Sequence, residues 1–291
     1  LTPALTLLAL CAFAANSLLC RLALAPGHID AASFTTLRIL SGALVLAPLA
    51  LFRSAGAGRG AGRGFGGSWS AALALALYAV PFSFAYTSLS AGTGALLLFG
   101  AVQGTMLTAG LRAGERPGTI AWTGFAVAVA GVVALVAPGA AAPAAGGAAL
   151  MVVAGIAWGI YSLLGRGGAD PVGATAGNFL RAAPLAALVS LIAHTGAHAD
   201  RRGVILAIVS GAVTSGFGYV LWYAALPRLG AVRAAIAQLA APALAAIGGV
   251  LLLGEAATPR LVLAAALILG GVALALAGRS VSPRWFPRPP R

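Results

Sequence analysis

Tyr223-Ala-Ala-Leu226 leads through an apolar span to Gly254-Glu255 and on to Gly271-Val272, and this series has run once before. The first copy goes from Tyr86-Thr-Ser-Leu89 through Gly114-Glu115 to Gly131-Val132, with the Gly-Glu and Gly-Val pairs at the same separation in both. Weaker echoes extend the match upstream. Ser17-Leu-Leu-Cys-Arg21 parallels Ser162-Leu-Leu-Gly-Arg166, and Thr36-Leu-Arg38 parallels Phe179-Leu-Arg181. The chain is read as an internal duplication, and a repeat is the first feature from which a fold is reasoned.

A hydrophobic fraction of 60%, only 8% charged residues and a mean hydropathy of +0.99 exclude a water-soluble globule. Apolar segments long enough to cross a roughly 30 Å hydrocarbon core can be marked ten times. They are Thr2–Ala25, Ala31–Phe52, Trp69–Ser90, Thr93–Leu111, Pro117–Ala137, Gly146–Gly165, Val172–His194, Gly203–Leu226, Ala231–Leu253 and Pro259–Gly278. The expected fold is an all-α polytopic membrane protein of ten transmembrane helices. Residues 1–137 form one five-helix repeat and 146–278 the second, followed by a Pro/Arg-rich tail, 279–291. Cys11 and Cys20 share the first span, and a helical rise of about 1.5 Å per residue keeps them beyond disulfide reach.

The net charge of +13 comes entirely from arginine, for the chain has no lysine. Those arginines sit between apolar spans, so they read as topology signals and no nucleic-acid partner is expected. The absence of lysine also removes a phosphate-loop lysine and a Schiff-base lysine, and no cofactor is expected. One set of alternate connectors and the tail carry Arg53, Arg59, Arg63, Arg112, Arg116, Arg166, Arg228, Arg233, Arg279, Arg284, Arg288 and Arg291; the other set carries Arg201, Arg202 and Arg260. Retention of positive charge on the cytoplasmic side places both termini in the cytoplasm. Five spans per repeat then invert the second repeat relative to the first. Glu115 faces inward and Glu255 outward, the plan of secondary transporters that bind substrate near the midplane.

The two sets of five spans, the aromatic-to-Leu entry to each fourth helix and the Gly-Glu before each fifth resemble the drug/metabolite transporter superfamily, EamA type, over nearly the whole chain. Within it the chain looks most similar to YddG-type bacterial exporters of aromatic and other amino acids. The resemblance implies ten helices around a central cavity, alternating access and outward movement of small metabolites across the bacterial inner membrane. It also gives Pro242 the familiar mid-helix proline of the ninth span, a place where the first copy has Gln103 or Thr105.

Polar and aromatic groups at membrane depth are the candidate site, because hydrocarbon penalises them unless they meet a partner or water. Residues four apart share a helix face. This collects Tyr78, Phe82 and Tyr86 beside Pro81, Phe99 above Gln103, Trp158 above Ser162, and Ser215, Tyr219 and Tyr223. Asn16 and Gln238 add hydrogen-bonding groups, and Gly155 and Gly159 permit close helix approach. Such a wall suits a zwitterion with an apolar or aromatic side chain, held by stacking and cation–π contact. Arg38 and Arg181 lie two to three turns inside their spans and are candidates for a substrate carboxylate. Arg21 and Arg166, nearer the ends, are expected to snorkel to the interface.

No Asp or Glu falls in the middle of a span, and His28, His194 and His198 are near the surfaces, so the expectation is a uniporter without a proton relay. Glu115 and Glu255 are read as helix-turn groups pairing with a nearby arginine. An exchanger of nucleotide sugars or phosphorylated sugars is the alternative within the superfamily, and it would need several cations in the cavity. An intramembrane enzyme would need a nucleophile with a base or paired aspartates at depth, and neither pattern is present. A non-transporting structural subunit would leave the inverted duplication without a use. The expected partners are small molecules, amino acids first, and the lipid bilayer, with the chain acting as a monomer.

Overall fold

In a computed structural model, residues 2–56, 65–114, 117–139, 142–165, 170–229 and 237–277 are described. Glu115, Arg116, Arg166, residues 230–236 and the tail lie outside them, as do the side chain of Tyr223 and the pairing expected of Glu115.

The apolar spans become helices because a backbone in hydrocarbon has nowhere to place its N–H and C=O groups except along its own rod. They are α1 (Thr2–Leu24), α2 (Ala31–Gly56), α3 (Trp69–Tyr86), α4 (Ala91–Arg112), α5 (Thr119–Val136), α6 (Ala145–Leu164) and α7 (Pro171–Ile192). The eighth rod starts as α8 (Arg201–Val209), passes through a π-helical segment (Ser210–Phe217) and continues as α9 (Gly218–Leu229). Then come α10 (Ala240–Leu253) and α11 (Pro259–Ala277). Among the described residues nine rods are long and apolar enough to span a bilayer, and α10 is shorter.

Two boundaries differ from the sequence reading. The third span stops at Tyr86, where Thr87 to Leu89 turn. In the ninth, the turn at Leu239 interrupts the span between helical Ala237-Gln238 and α10, and Pro242 falls in the first turn after that break. A proline removes the N–H that residue 238 would otherwise bond, and the first helical turn is where that loss is harmless.

Helix ends explain the repeated motif. Gly114 and Gly254 have φ of +84° and +65°, the left-handed conformation that stops a helix and that a side chain disfavours. The Gly of each Gly-Glu is therefore a helix terminator. The acids start helices: Asp30 accepts from the Ser33 N–H, Asp170 from Gly173 and Asp200 from Gly203, while Glu255 accepts from the first N–H of α4, Ala91, at 2.9 Å.

The packing is inside-out relative to a soluble protein. Many large apolar side chains face outward, with Phe52, Leu251 and Leu252 about three-quarters exposed, while Ala9, Ala72, Ala79 and Ala154 are buried between rods. α1 runs along α8, α9 and α10, and α6 runs along α3 and α4; α2 packs on α7, α4 on α10, and α5 on α11. Small residues let rods approach. A Cβ on Gly124 would lie 2.5 Å from the Gly271 carbonyl oxygen, and one on Gly271 would lie 2.6 Å from that of Gly124. Gly155 faces the Leu98 carbonyl and Gly159 faces Thr105, as the small-residue reading of α6 required. Gly270 faces open space and is not part of such a contact.

Candidate functional site

The centre of the bundle is built on Arg38, on α2, which is 1% exposed and among the largest buried side chains in the protein. Its Nη2 donates to the Tyr78 hydroxyl at 2.8 Å and its Nε to Ser215 Oγ at 3.2 Å. The guanidinium carbon stands 5.2 Å from the Tyr78 ring centre and 4.9 Å from that of Phe82, a cation–π arrangement. Its Nη1 is buried with no hydrogen-bond partner among the described residues.

Asn16 completes the polar knot. Its Oδ1 accepts from Ser210 Oγ at 2.6 Å and Thr214 Oγ1 at 3.2 Å, and its Nδ2 donates to the Tyr78 hydroxyl at 3.4 Å. Ser210, Thr214 and Ser215 all lie on the π segment, whose wider turn was not anticipated from sequence. That segment also holds Gly211, where a Cβ would collide with the Arg38 carbonyl and Ser41 Oγ. Close approach of α2 is thereby combined with a row of hydroxyls turned toward Arg38 and Asn16.

Around this knot the rings form a continuous wall. Trp158 contacts Tyr78, Tyr161 and Tyr219 at centroid distances of 4.8, 5.5 and 5.2 Å, and Phe82 contacts Tyr78 and Tyr86 at 5.2 and 4.8 Å. Phe13 stands edge-on to Trp158, Tyr219 and Trp222, and Phe179 to Tyr219. Tyr78, Phe82, Trp158 and Tyr219 lie together, as rings in mutual contact. Sequence reasoning missed Phe13, Tyr161 and Phe179. The first two were legible, Phe13 one turn before Asn16 and Tyr161 one turn after Trp158.

Other candidates lie elsewhere. Phe99 is buried, but Gln103 lines a narrow crevice with Gly100, Phe125 and Val272, between α4, α5 and α11. Ser162 donates to the Trp158 carbonyl within its own helix, and Gln238 is half-buried beside the Leu239 turn. Arg181 Nη1 donates to the carbonyls of Gly66 and Gly177 at 2.8 and 2.9 Å, tying the connector before α3 to α7. Pro81 is buried within α3, beside the ring face.

One end of the bundle is tied across by polar contacts. Arg21 Nε bonds Glu255 Oε1 at 3.2 Å, and its Nη1 donates to the carbonyls of Tyr86 at 3.1 Å and Thr87 at 3.4 Å. The expected snorkelling of Arg21 is corrected. An acid and two helix-end carbonyls within reach satisfy it better than the interface would. At the same end His28 Nδ1 meets Asp200 Oδ2 at 2.7 Å, and Ile29 pairs with Ala199 in an antiparallel bridge. Glu255→Gln is expected to loosen this end. A cysteine at the buried Leu89, in a background without Cys11 and Cys20, should then react several-fold faster with an impermeant maleimide. An unchanged rate would show that the tie does not hold this face.

The two aspartates here carry a pH dependence. Burial pushes the Asp30 carboxyl up, but hydrogen bonds from the Ser33 backbone and hydroxyl and from the His198 N–H outweigh it and hold the group below its ordinary value. The Gly203 N–H and His28 hold Asp200 low in the same way. A depressed carboxylate stabilises the folded form above its unfolded pKa and stops doing so as pH falls through the folded one. Hydrogen exchange at 27–30 and 197–200 should stay slow from neutral pH down to about 4 and quicken below that. Quickening already at pH 6 would contradict the assignment.

An all-helical assembly of apolar rods with its polar groups gathered at the centre defines a polytopic membrane protein. Residues 145–277 match the EamA-like transporter family. A protein of Pseudomonas aeruginosa described as uncharacterized protein PA1977 is 54% identical over 278 residues, covering 96% of this chain and 95% of that one. A solved structure described as "Crystal structure of protein" superposes with a TM-score of 0.66 at 22% identity, covering 94% of this chain and 98% of that one, a likeness of fold. The chain belongs to the EamA-like transporter family, within the drug/metabolite transporter superfamily.

Proposed function

We propose that this transporter exports neutral amino acids, aromatic ones among them, and similar small metabolites across the bacterial cytoplasmic membrane by alternating access. The observation that carries the reading is Arg38, a buried cation with one open N–H inside a wall of Tyr78, Phe82, Trp158 and Tyr219. It matches the carboxylate and side chain of such a substrate. The rings must part to admit it.

The packing pattern supports two inverted repeats. α1 against α8–α9 and α10 has its counterpart in α6 against α3 and α4, while α2–α7, α4–α10 and α5–α11 each pair equivalent helices. The arginine bias supports cytoplasmic termini, which makes the end tied by Arg21 and Glu255 the outer one. A single guanidinium at the centre favours amino acids over phosphorylated sugars, whose dianionic group calls for more cations. The absence of acids within the spans supports uniport.

The test is counterflow of labelled Phe, Trp, Met and Thr in proteoliposomes, with and without a pH gradient. Saturable flux that ignores the gradient and is lost in Trp158→Ala is expected. Absence of flux for all four would refute amino-acid transport.

A further inference from the structure

Resting on the reading of the Arg38 centre as the substrate site, we infer that this site is built for an organic anion. Its preferred occupant is a small monocarboxylate with an aromatic or apolar body, and the α-ammonium of an amino acid contributes nothing to recognition.

The acceptors nearest Arg38 already take donors from within the knot. Asn16 Oδ1 takes two hydroxyl donors, the Tyr78 oxygen takes Arg38 Nη2 and Asn16 Nδ2, and Ser215 Oγ takes Arg38 Nε. Lone pairs remain on the neutral Ser210, Thr214 and Ser215 hydroxyls, but the charged group left unsatisfied is a donor. Arg38 Nη1 has no partner, and neither the Tyr78 nor the Ser215 hydroxyl proton has an acceptor among the described residues. An oxyanion satisfies the guanidinium donor with a charge-assisted bond, whereas an ammonium finds only neutral hydroxyl oxygens and no carboxylate to donate to.

Charge points the same way. Among the described residues all the acids sit at helix starts, Asp30, Asp170 and Asp200 as caps and Glu255 on the α4 terminus and Arg21. None balances Arg38, so the buried centre holds an uncompensated positive charge. A monocarboxylate cancels it. A zwitterion leaves it in place and adds a second cation a few ångströms away. The ring faces that would offset this by cation–π contact, those of Tyr78 and Phe82, already hold the guanidinium.

Three ligands with one body separate the possibilities: 3-phenylpropanoate, phenylalanine and phenethylamine. Binding to the purified protein in non-ionic detergent is measured by titration calorimetry at pH 7, which avoids the passive leak of the free acid through lipid. 3-Phenylpropanoate is expected to bind roughly tenfold or more tightly than phenylalanine, with no binding of the amine. Arg38→Gln should abolish carboxylate binding. Because that variant replaces a buried charge, Ser215→Ala and Tyr78→Phe serve beside it, each weakening 3-phenylpropanoate several-fold. Phenylalanine binding as well as or better than 3-phenylpropanoate, in an Arg38-dependent way, would overturn the anion preference and leave the amino-acid reading standing. Binding of the amine as tightly as the carboxylate would overturn the reading of the centre as an anion site. If none of the three binds, both readings fall together.

Discussion

Arg38→Met is expected to abolish substrate flux and to raise the melting temperature of the purified protein in detergent. These two results have one cause. Arg38 is held by two hydrogen bonds and two ring faces, yet among the described residues its Nη1 has no partner and no carboxylate balances its charge. Replacing imperfectly compensated buried charges with apolar groups of similar volume is neutral to stabilising, by about 1–4 kcal/mol. Methionine is unbranched and flexible enough to fill the same channel between Tyr78, Phe82 and the π segment. Tyr78 keeps its bond from Asn16. The gain should read as a rise of several degrees, and loss of flux at normal expression separates this residue from a structural one. A variant that melts lower, or that still transports, would show that Arg38 is there to hold the bundle together.

The second large effect is expected where α5 crosses α11. Gly271→Ala should cost most of the folded protein, while Gly270→Ala, one position away on the same helix, should leave it unchanged. A Cβ on Gly271 runs into the backbone of Ala128 and the Gly124 carbonyl, and backbone atoms cannot turn aside as a side-chain tip can. The rods must separate along their length, which forfeits the close packing that drives helix association in lipid. Overpacking costs about 1–3 kcal/mol where neighbours yield, and more where they do not. A Cβ on Gly270 meets nothing within 4 Å. Fluorescence-detected size exclusion of the two variants decides it; equal yields would refute the geometry.

The bundle was legible because membrane helices announce themselves by length and because each Gly-Glu marks a helix stop that only glycine makes easily, as at Gly114 and Gly254. The aromatic wall was legible through helical spacing within α3 and α6. What escaped is what depends on two rods at once. Arg38 and Arg181 look alike in sequence, yet one meets Tyr78 and Ser215 and the other the Gly66 carbonyl, since only a neighbour decides which polar group lies in reach. Gln103 lines a crevice apart from Arg38 because α4 turns that face toward α5 and α11. The π segment is equally invisible to periodicity, being one widened stretch inside an apolar run.

The pairing of Arg21 with Glu255 joins residues 234 positions apart, the first helix to the last connector. As the chain leaves the ribosome, α1 enters the bilayer long before its partner exists. Until then Arg21 has the helix-end carbonyls of Tyr86 and Thr87 and the headgroup layer to turn to, but no acid. Closure of that end is therefore an event of late assembly, completed when α10 and α11 insert as a hairpin and bring Glu255 to the waiting arginine. A chain arrested before residue 255 would hold α1 without its acid, and misassembly would leave the arginine of the first helix for quality control to find.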